Sequence, residues 1–367
     1  MPCDTAWSVR WLGTSMGISA GPLLGGWRTG HSLWLHRACA RTTFVPTAAP
    51  SSSSVGMRAT WSSPRVVNDS PFDDRDAGVI SPGGKQLVIT WFTSDTRHYV
   101  ERSRDHHWLQ EVQAGLIWMT DENAPRFVGS WVRCSDDGGD TWGAPIRVPL
   151  TAPHGAIRLR SGSLFYLGKE FGRSMKEFTS GTRNVCAMVS RDCGRTWEML
   201  GTVPLYPGTR DTNYHEPHVV ELPSGKLIGH IRFQYSGEDA PKEAGLVSFS
   251  IFQTESTDGG RTWTQAKPLG FHGSPPHLLL HSSGALVCTY GYRQEPYGER
   301  AAISYDEGNT WQHVVLRDDG PDGDLGYPSS VELSDGSIFT VYYQKPLSRL
   351  DRCALLWTRW QLERNGR

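Results

Sequence analysis

From Asp76 onward the chain repeats one pattern of polar and apolar positions: a short polar turn containing glycine, then a run of β-branched and aromatic residues. It reads SPGGKQLVITWF at 81–92, LRSGSLFYLGKEF at 159–171, LPSGKLIGHIRF at 222–233, LHSSGALVCTYGYR at 280–293 and LSDGSIFTVYYQ at 333–344. Each glycine-turned pair of runs predicts a β-hairpin with buried strands. No stretch carries the 3.6-residue apolar period of a convincing long helix, so the pattern predicts an all-β chain.

A second repeat interleaves with the first. The spacing SxDxGxTW begins at Ser135, Ser190, Ser256 and Ser304 and closes at Trp142, Trp197, Trp263 and Trp311. In each copy the Ser and Asp side chains can bond backbone amides of a tight turn, the Gly can take φ > 0, and the Trp supplies an apolar anchor. One copy is an ordinary turn. Four at one spacing are an internal repeat, and with β-rich flanks such an array predicts propeller blades. Alternation of hairpins and turns marks five blades, at 76–148, 154–203, 215–269, 275–316 and 327–364. Residues 60–67, TWSSPRVV, echo 141–148, TWGAPIRV, and predict the outer strand of a sixth.

The four-fold motif is identified as the Asp box, and over about residues 60–364 the chain resembles the sialidase (neuraminidase) superfamily. The resemblance implies a six-bladed β-propeller over 58–367 with an incomplete first blade, preceded by an atypical leader at 1–57 that is disordered or mis-joined. Asp boxes lie on the outer rim in that family, so they speak for fold and not for activity.

In a propeller, the starts of the first strands and the ends of the second strands surround the axis. Starts of this kind hold Arg75 and Asp76 in DDRDAG, Glu216 in NYHEPH and Tyr327 in DLGYPSS, while ends hold Arg232 in HIRF, Arg293 in TYGYR, and Lys169 with Glu170 in LGKEF. The resemblance implies that Glu216 and Arg232 are the catalytic glutamate and a clamp arginine, and that Tyr327 is the nucleophile. A further clamp arginine is either Arg300 or Arg293, with Arg300 preferred by its order in YRQEPYGERAAIS. The acid/base aspartate and first arginine that the family carries upstream have no counterpart in residues 1–57. Asp76 is the candidate for the first role, and Arg75 for an added anion contact.

The chemistry behind this set is specific. Sialic acid bears a carboxylate on its anomeric carbon, which the planar paired donors of arginine can bind bidentately. That charge would repel an attacking carboxylate, so a neutral phenol is the better nucleophile, as in sialidases with a Tyr nucleophile. A phenol with a pKa near 10 needs a base to take its proton, and a glutamate serves. The implied activity is that of a retaining exo-α-sialidase releasing a terminal acidic sugar from a glycan. Two alternatives stay open: an inactive Asp-box propeller that binds glycan or protein, and a hydrolase or lyase for another acidic sugar.

Composition trims this picture without redirecting it. A chain of 367 residues, 38% hydrophobic and 11% aromatic, can bury a propeller core. Its net charge of −1 gives no case for nucleic acid or an anionic membrane, and no run of 18 apolar residues crosses a bilayer. Seven cysteines without a CxxC pair read as free thiols, which favours the cytoplasm over secretion while leaving the compartment open. His154, His215, His218 and His277 gather near strand starts, but without HxH or HxxxH spacing; His154 and His215 read as polar lining of a sugar site, with no metal and no cofactor expected. The oligomeric state is not legible.

Overall fold

The computed structural model describes residues 7–16, 66–95, 97, 116–171, 183–237, 240–241, 245–349 and 353–364. Strand β1 (Trp7–Met16) stands apart from the rest in sequence. Four strands follow as one antiparallel sheet, β2 (Asp73–Gly83), β3 (Gln86–Ser94), β4 (Gly129–Ser135) and β5 (Ile146–Val148). The second sheet holds β6 (Leu150–Thr151), β7 (Ile157–Arg158), β8 (Leu164–Glu170), β9 (Val185–Ser190) and β10 (Glu198–Thr202), with β6 and β7 both paired to β8. The third runs β11 (Tyr214–Glu221), β12 (Leu227–Phe233), β13 (Ser250–Ser256), β14 (Lys267–His272), and the fourth β15 (Pro276–Leu280), β16 (Leu286–Tyr292), β17 (Tyr297–Ser304), β18 (Gln312–Gly320). The fifth orders β19 (Gly326–Glu332), β20 (Ser337–Gln344), β21 (Ala354–Arg364) and, outermost, β1.

The chain is therefore an all-β propeller of five blades, not six. All strands among the described residues are taken up by five sheets, and the amino-terminal strand joins the last of them, pairing from Trp7 opposite Arg364 to Met16 opposite Leu356. Of the fragment read as a sixth blade, residues 60–65 lie outside the described residues. Val67, at its end, is buried against Ile89 and Trp91 of the first sheet, and Arg133 donates to its carbonyl. Val67 thus covers an existing sheet, and among the described residues no sixth sheet forms.

Middle strands show why the apolar runs are unbroken. All residues of β9 and β12 are buried, as are six of seven in β8 and β16. Each sheet is covered on both faces, so alternation gives way to continuous apolar sequence. The cores sit between blades: Val88 and Val132 meet Leu164 and Tyr166, Phe165 and Leu167 meet Ile231 and Phe252, Ile228 and Ile251 meet Leu286 and Cys288, and Val287 and Ile303 meet Ile338 and Trp360.

The Asp boxes close these seams from the rim. In the third blade Ser256 accepts from Gly260 N at 2.9 Å, Asp258 accepts from Thr262 N at 2.9 Å and Thr262 Oγ1 at 2.6 Å, and Trp263 Nε1 donates to Gly260 O at 3.1 Å. Those donors hold the Asp258 carboxyl down at about 2. The Trp263 ring then packs on Phe165 of the preceding blade, and Trp311 packs on His230 in the same way. Near the axis, glycine permits close approach: a Cβ on Gly78 of β2 would lie 2.3 Å from Gly155 N of the second blade.

Candidate active site

Three inner strands carry the same irregularity. Register breaks between Arg75 and Gly78 in β2, between His215 and His218 in β11, and between Gly326 and Ser329 in β19. Inside each break one non-glycine residue adopts a left-handed backbone: Asp76 at φ 52°, Glu216 at 46° and Tyr327 at 54°. Such a conformation costs of order 1–3 kcal/mol per residue and persists where the fold over-determines it. A bulge re-aims its side chain out of the alternation. Three blades use one device to turn an aspartate, a glutamate and a tyrosine the same way.

The side chains then meet. Tyr327 Oη donates to Glu216 Oε1 at 2.5 Å, and Arg232 Nη1 donates to Glu216 Oε2 at 2.5 Å and to Tyr327 Oη at 3.3 Å. Arg232 Nη2 is held by Gln234, two residues on along the same chain direction. Tyr327, Arg232 and Asp76 are buried and Glu216 half-buried. Burial pushes the Tyr327 phenol above its ordinary value and the Glu216 charge pushes further, while Arg232 and Arg293 pull back. Burial opposes the Arg232 charge, yet Glu216 and Tyr327 outweigh it and hold that guanidinium firmly protonated. Asp76 is near enough for its charge to act on the phenol.

Two arginines of one hairpin part company. Arg293 lies with its guanidinium carbon 5.8 Å from the Tyr327 ring centroid. Arg300 donates to Arg317 O at 2.8 Å and to Pro296 O at 3.1 Å, and stacks 4.7 Å over Tyr292. The geometry brings Arg293 to the phenol and leaves Arg300, the one preferred by its order in the sequence, binding backbone. Arg75 is paired with Asp73 beside the first bulge.

One histidine adjoins this set, and three others pack together. His215 pairs across β11 and β12 with Arg232, and burial, then the charges of Lys169 and Arg232, lower it well below its ordinary pKa. His154, His218 and His277 form one cluster, with His218 stacked on His277 at 4.4 Å and His154 edge-on to both at 5.3 and 5.1 Å. Leu278 N, on the next blade, donates to His218 Nδ1 at 2.9 Å, and Ser330 N donates to His277 Nδ1 at 3.4 Å. A ring nitrogen that accepts from an amide is unprotonated, so in the neutral ring the proton sits on Nε2. These rings thus present N–H donors, and among the described residues no group of three His, Cys, Asp or Glu is arranged to hold a metal.

Sequence reasoning passed over Phe249 and Gln234. Gln234 carried a signal, since alternation puts it on the side of Arg232. Phe249 carried none, because its place follows from the connection between β12 and β13. Lys169, at the end of β8, donates to Asp211 O at 3.0 Å and to Tyr214 O, and burial with the nearby Arg183 charge brings it down to about 7.

Residues 51–340 match the model of the BNR repeat-like domain. Among solved structures, a protein of unknown function from Dyadobacter fermentans DSM 18053 aligns at TM-score 0.63 and 21% identity over 83% of this chain and 81% of that one. Trypanosoma rangeli sialidase aligns at TM-score 0.51 and 17% identity over 82% of this chain, which spans about half (48%) of that enzyme. Penicillium chrysogenum α-L-arabinanase aligns at TM-score 0.46 and 14% identity, over 77% of this chain and 92% of that one. No match among curated proteins reaches significance. At these identities the Dyadobacter protein and the Trypanosoma sialidase speak for a shared fold alone.

Proposed function

The chain belongs to the BNR repeat-like domain family, and we propose that it is a retaining exo-glycosidase acting on a terminal acidic sugar of the sialic acid type. The observation that carries this reading is the 2.5 Å hydrogen bond from Tyr327 Oη to Glu216 Oε1, with Arg232 on the other carboxylate oxygen. A phenol whose burial disfavours its ionisation reacts only with a base in direct contact, and Glu216 is in that position.

In this mechanism Glu216 accepts the phenol proton as Tyr327 Oη attacks the anomeric carbon. The bond to the leaving sugar breaks, and Asp76, as general acid, protonates the departing oxygen. Water, deprotonated by Asp76, then attacks the same carbon; the tyrosyl bond breaks, and Glu216 returns the proton to the phenol oxygen. Arg232 and Arg293 bind the sugar carboxylate, and His154 and His215 border the ring. Hydrolysis of a fluorogenic sialoside by the wild-type chain, lost in Tyr327→Phe, supports the reading; equal release by both overturns it.

A binding-only propeller is the second reading. The Arg75–Asp73 pair favours it, because it ties up the guanidinium that would otherwise add to the carboxylate clamp. Saturable binding of the sialoside with no turnover in either protein selects it.

A further inference from the structure

Phe249 stands one residue before β13, at the close of the connection from β12, and touches both arginines of the site. Its ring centroid lies 5.1 Å from the guanidinium carbon of Arg232 and 5.8 Å from that of Arg293. Both distances fall within cation–π range. Two like-charged guanidiniums repel one another, and a ring whose π face attracts each of them offsets that repulsion. An aliphatic side chain of similar volume packs against both but has no such face.

The backbone at Phe249 is as unusual as its contacts. Its φ is 58°, a left-handed conformation that is a genuine outlier for a bulky residue. Hydrogen bonds hold it there: Gly273 N donates to Phe249 O at 2.6 Å, and the preceding Ser248 Oγ both accepts from Tyr235 N and donates to Tyr235 O at 3.0 Å. Strain retained beside a site is commonly part of what the site does.

We propose that Phe249 is a positioning residue that fixes Arg232 and Arg293 as a pair for a carboxylate ligand, and so sets the preference for an acidic over a neutral sugar. The inference rests on the acid-sugar reading above. It makes the aromatic face the feature that matters, and not the bulk.

The test is calorimetric titration of the full chain with N-acetylneuraminic acid and with its methyl ester, which removes the charge alone. Wild type and Phe249→Tyr are compared with Phe249→Leu, each with its melting temperature. Wild type and the tyrosine variant bind the acid at least about tenfold tighter than the ester, while Phe249→Leu, folded with a cooperative melt, loses most of that ratio. Should the leucine variant not fold, Phe249→Met carries the same expectation. A full acid-to-ester ratio in a folded leucine or methionine variant overturns the role of Phe249 and leaves the acid-sugar reading standing. A wild-type chain that binds both probes equally, or neither, takes down both.

Discussion

Tyr327 Oη sits 2.5 Å from Glu216 Oε1 although 111 residues separate them, and each residue occupies the left-handed step of a bulge in its own inner strand. The pairing needs both bulges, because regular alternation would turn one of the two side chains into a seam between blades. Tyr327→Phe is expected to lower sialoside hydrolysis about 10³-fold or more, and Glu216→Gln comparably, with melting temperature little changed. Steady-state kinetics on the purified variants check this; a phenylalanine variant within tenfold of wild type removes the phenol from the reaction.

Arg293 and Arg300 are predicted to fail in different ways. Arg293→Ala raises KM for an anionic glycoside about 10- to 100-fold while the fold is kept, since it deletes a charged donor from the ligand side. Arg300→Ala costs about 1–3 kcal/mol of stability, because the Arg317 and Pro296 carbonyls lose their donors. Kinetics and thermal melts on the two variants separate these outcomes, and the opposite pattern would return the clamp role to Arg300.

The histidine cluster predicts loss of stability in acid. Burial lowers His218 well below its ordinary value and pulls His277 down to about 3; the imidazoles of His277, His154 and His230 lower His218 further. Their folded values are below the unfolded one near 6.5, so as pH falls through 6.5 the unfolded chain takes up protons that the folded chain refuses. The stability they leave intact above pH 6.5 therefore declines from there toward pH 3, with a slope of up to about 1.4 kcal/mol per pH unit for each ring. Protonated at Nδ1, His218 would also face the Leu278 amide donor to donor. Melting temperatures measured from pH 7 to pH 4 should fall less steeply in His277→Gln than in wild type.

The Asp box is expected to matter for stability alone. Ser256 is buried and accepts from Gly260 N, so Ser256→Ala strands that amide at a cost of about 1–3 kcal/mol, read as a melting temperature lower by several degrees. Its kcat should stay at the wild-type value. A drop in kcat with an unchanged melt would tie the rim to the chemistry.

How much of this was legible follows from what is local. The runs at 164–170, 227–233 and 286–292 announce strands because each middle strand is covered on both faces, and the serine-to-tryptophan spacing announces its turn because all its bonds close within eight residues. The number of blades was not local. It depends on where β1 docks and on Val67 lying against the first sheet, and neither has a pattern within its own few residues. Glu216, Arg232 and Tyr327, singled out from strand order, do come into contact, because that order fixes their blade positions. Arg300 was preferred to Arg293 for the clamp from its order along the chain, and only the folded hairpin puts Arg293 beside the phenol and Arg300 on backbone carbonyls. Phe249 was invisible because its ring reaches the two arginines only after two blades, the third and the fourth, have assembled.

The union of β1 with β21 ties the start of the described chain to its end, since nine residues of each strand face one another across a single ladder. A deletion carried through Met16 would bare the long flank of β21, a row of unpaired backbone groups ready to recruit another strand. Such a truncated protein is expected to self-associate in solution while its buried tyrosine and glutamate, on the inner strands, stay in register. Affinity tags and fusion partners placed at either terminus would accordingly report on colloidal behaviour rather than on turnover.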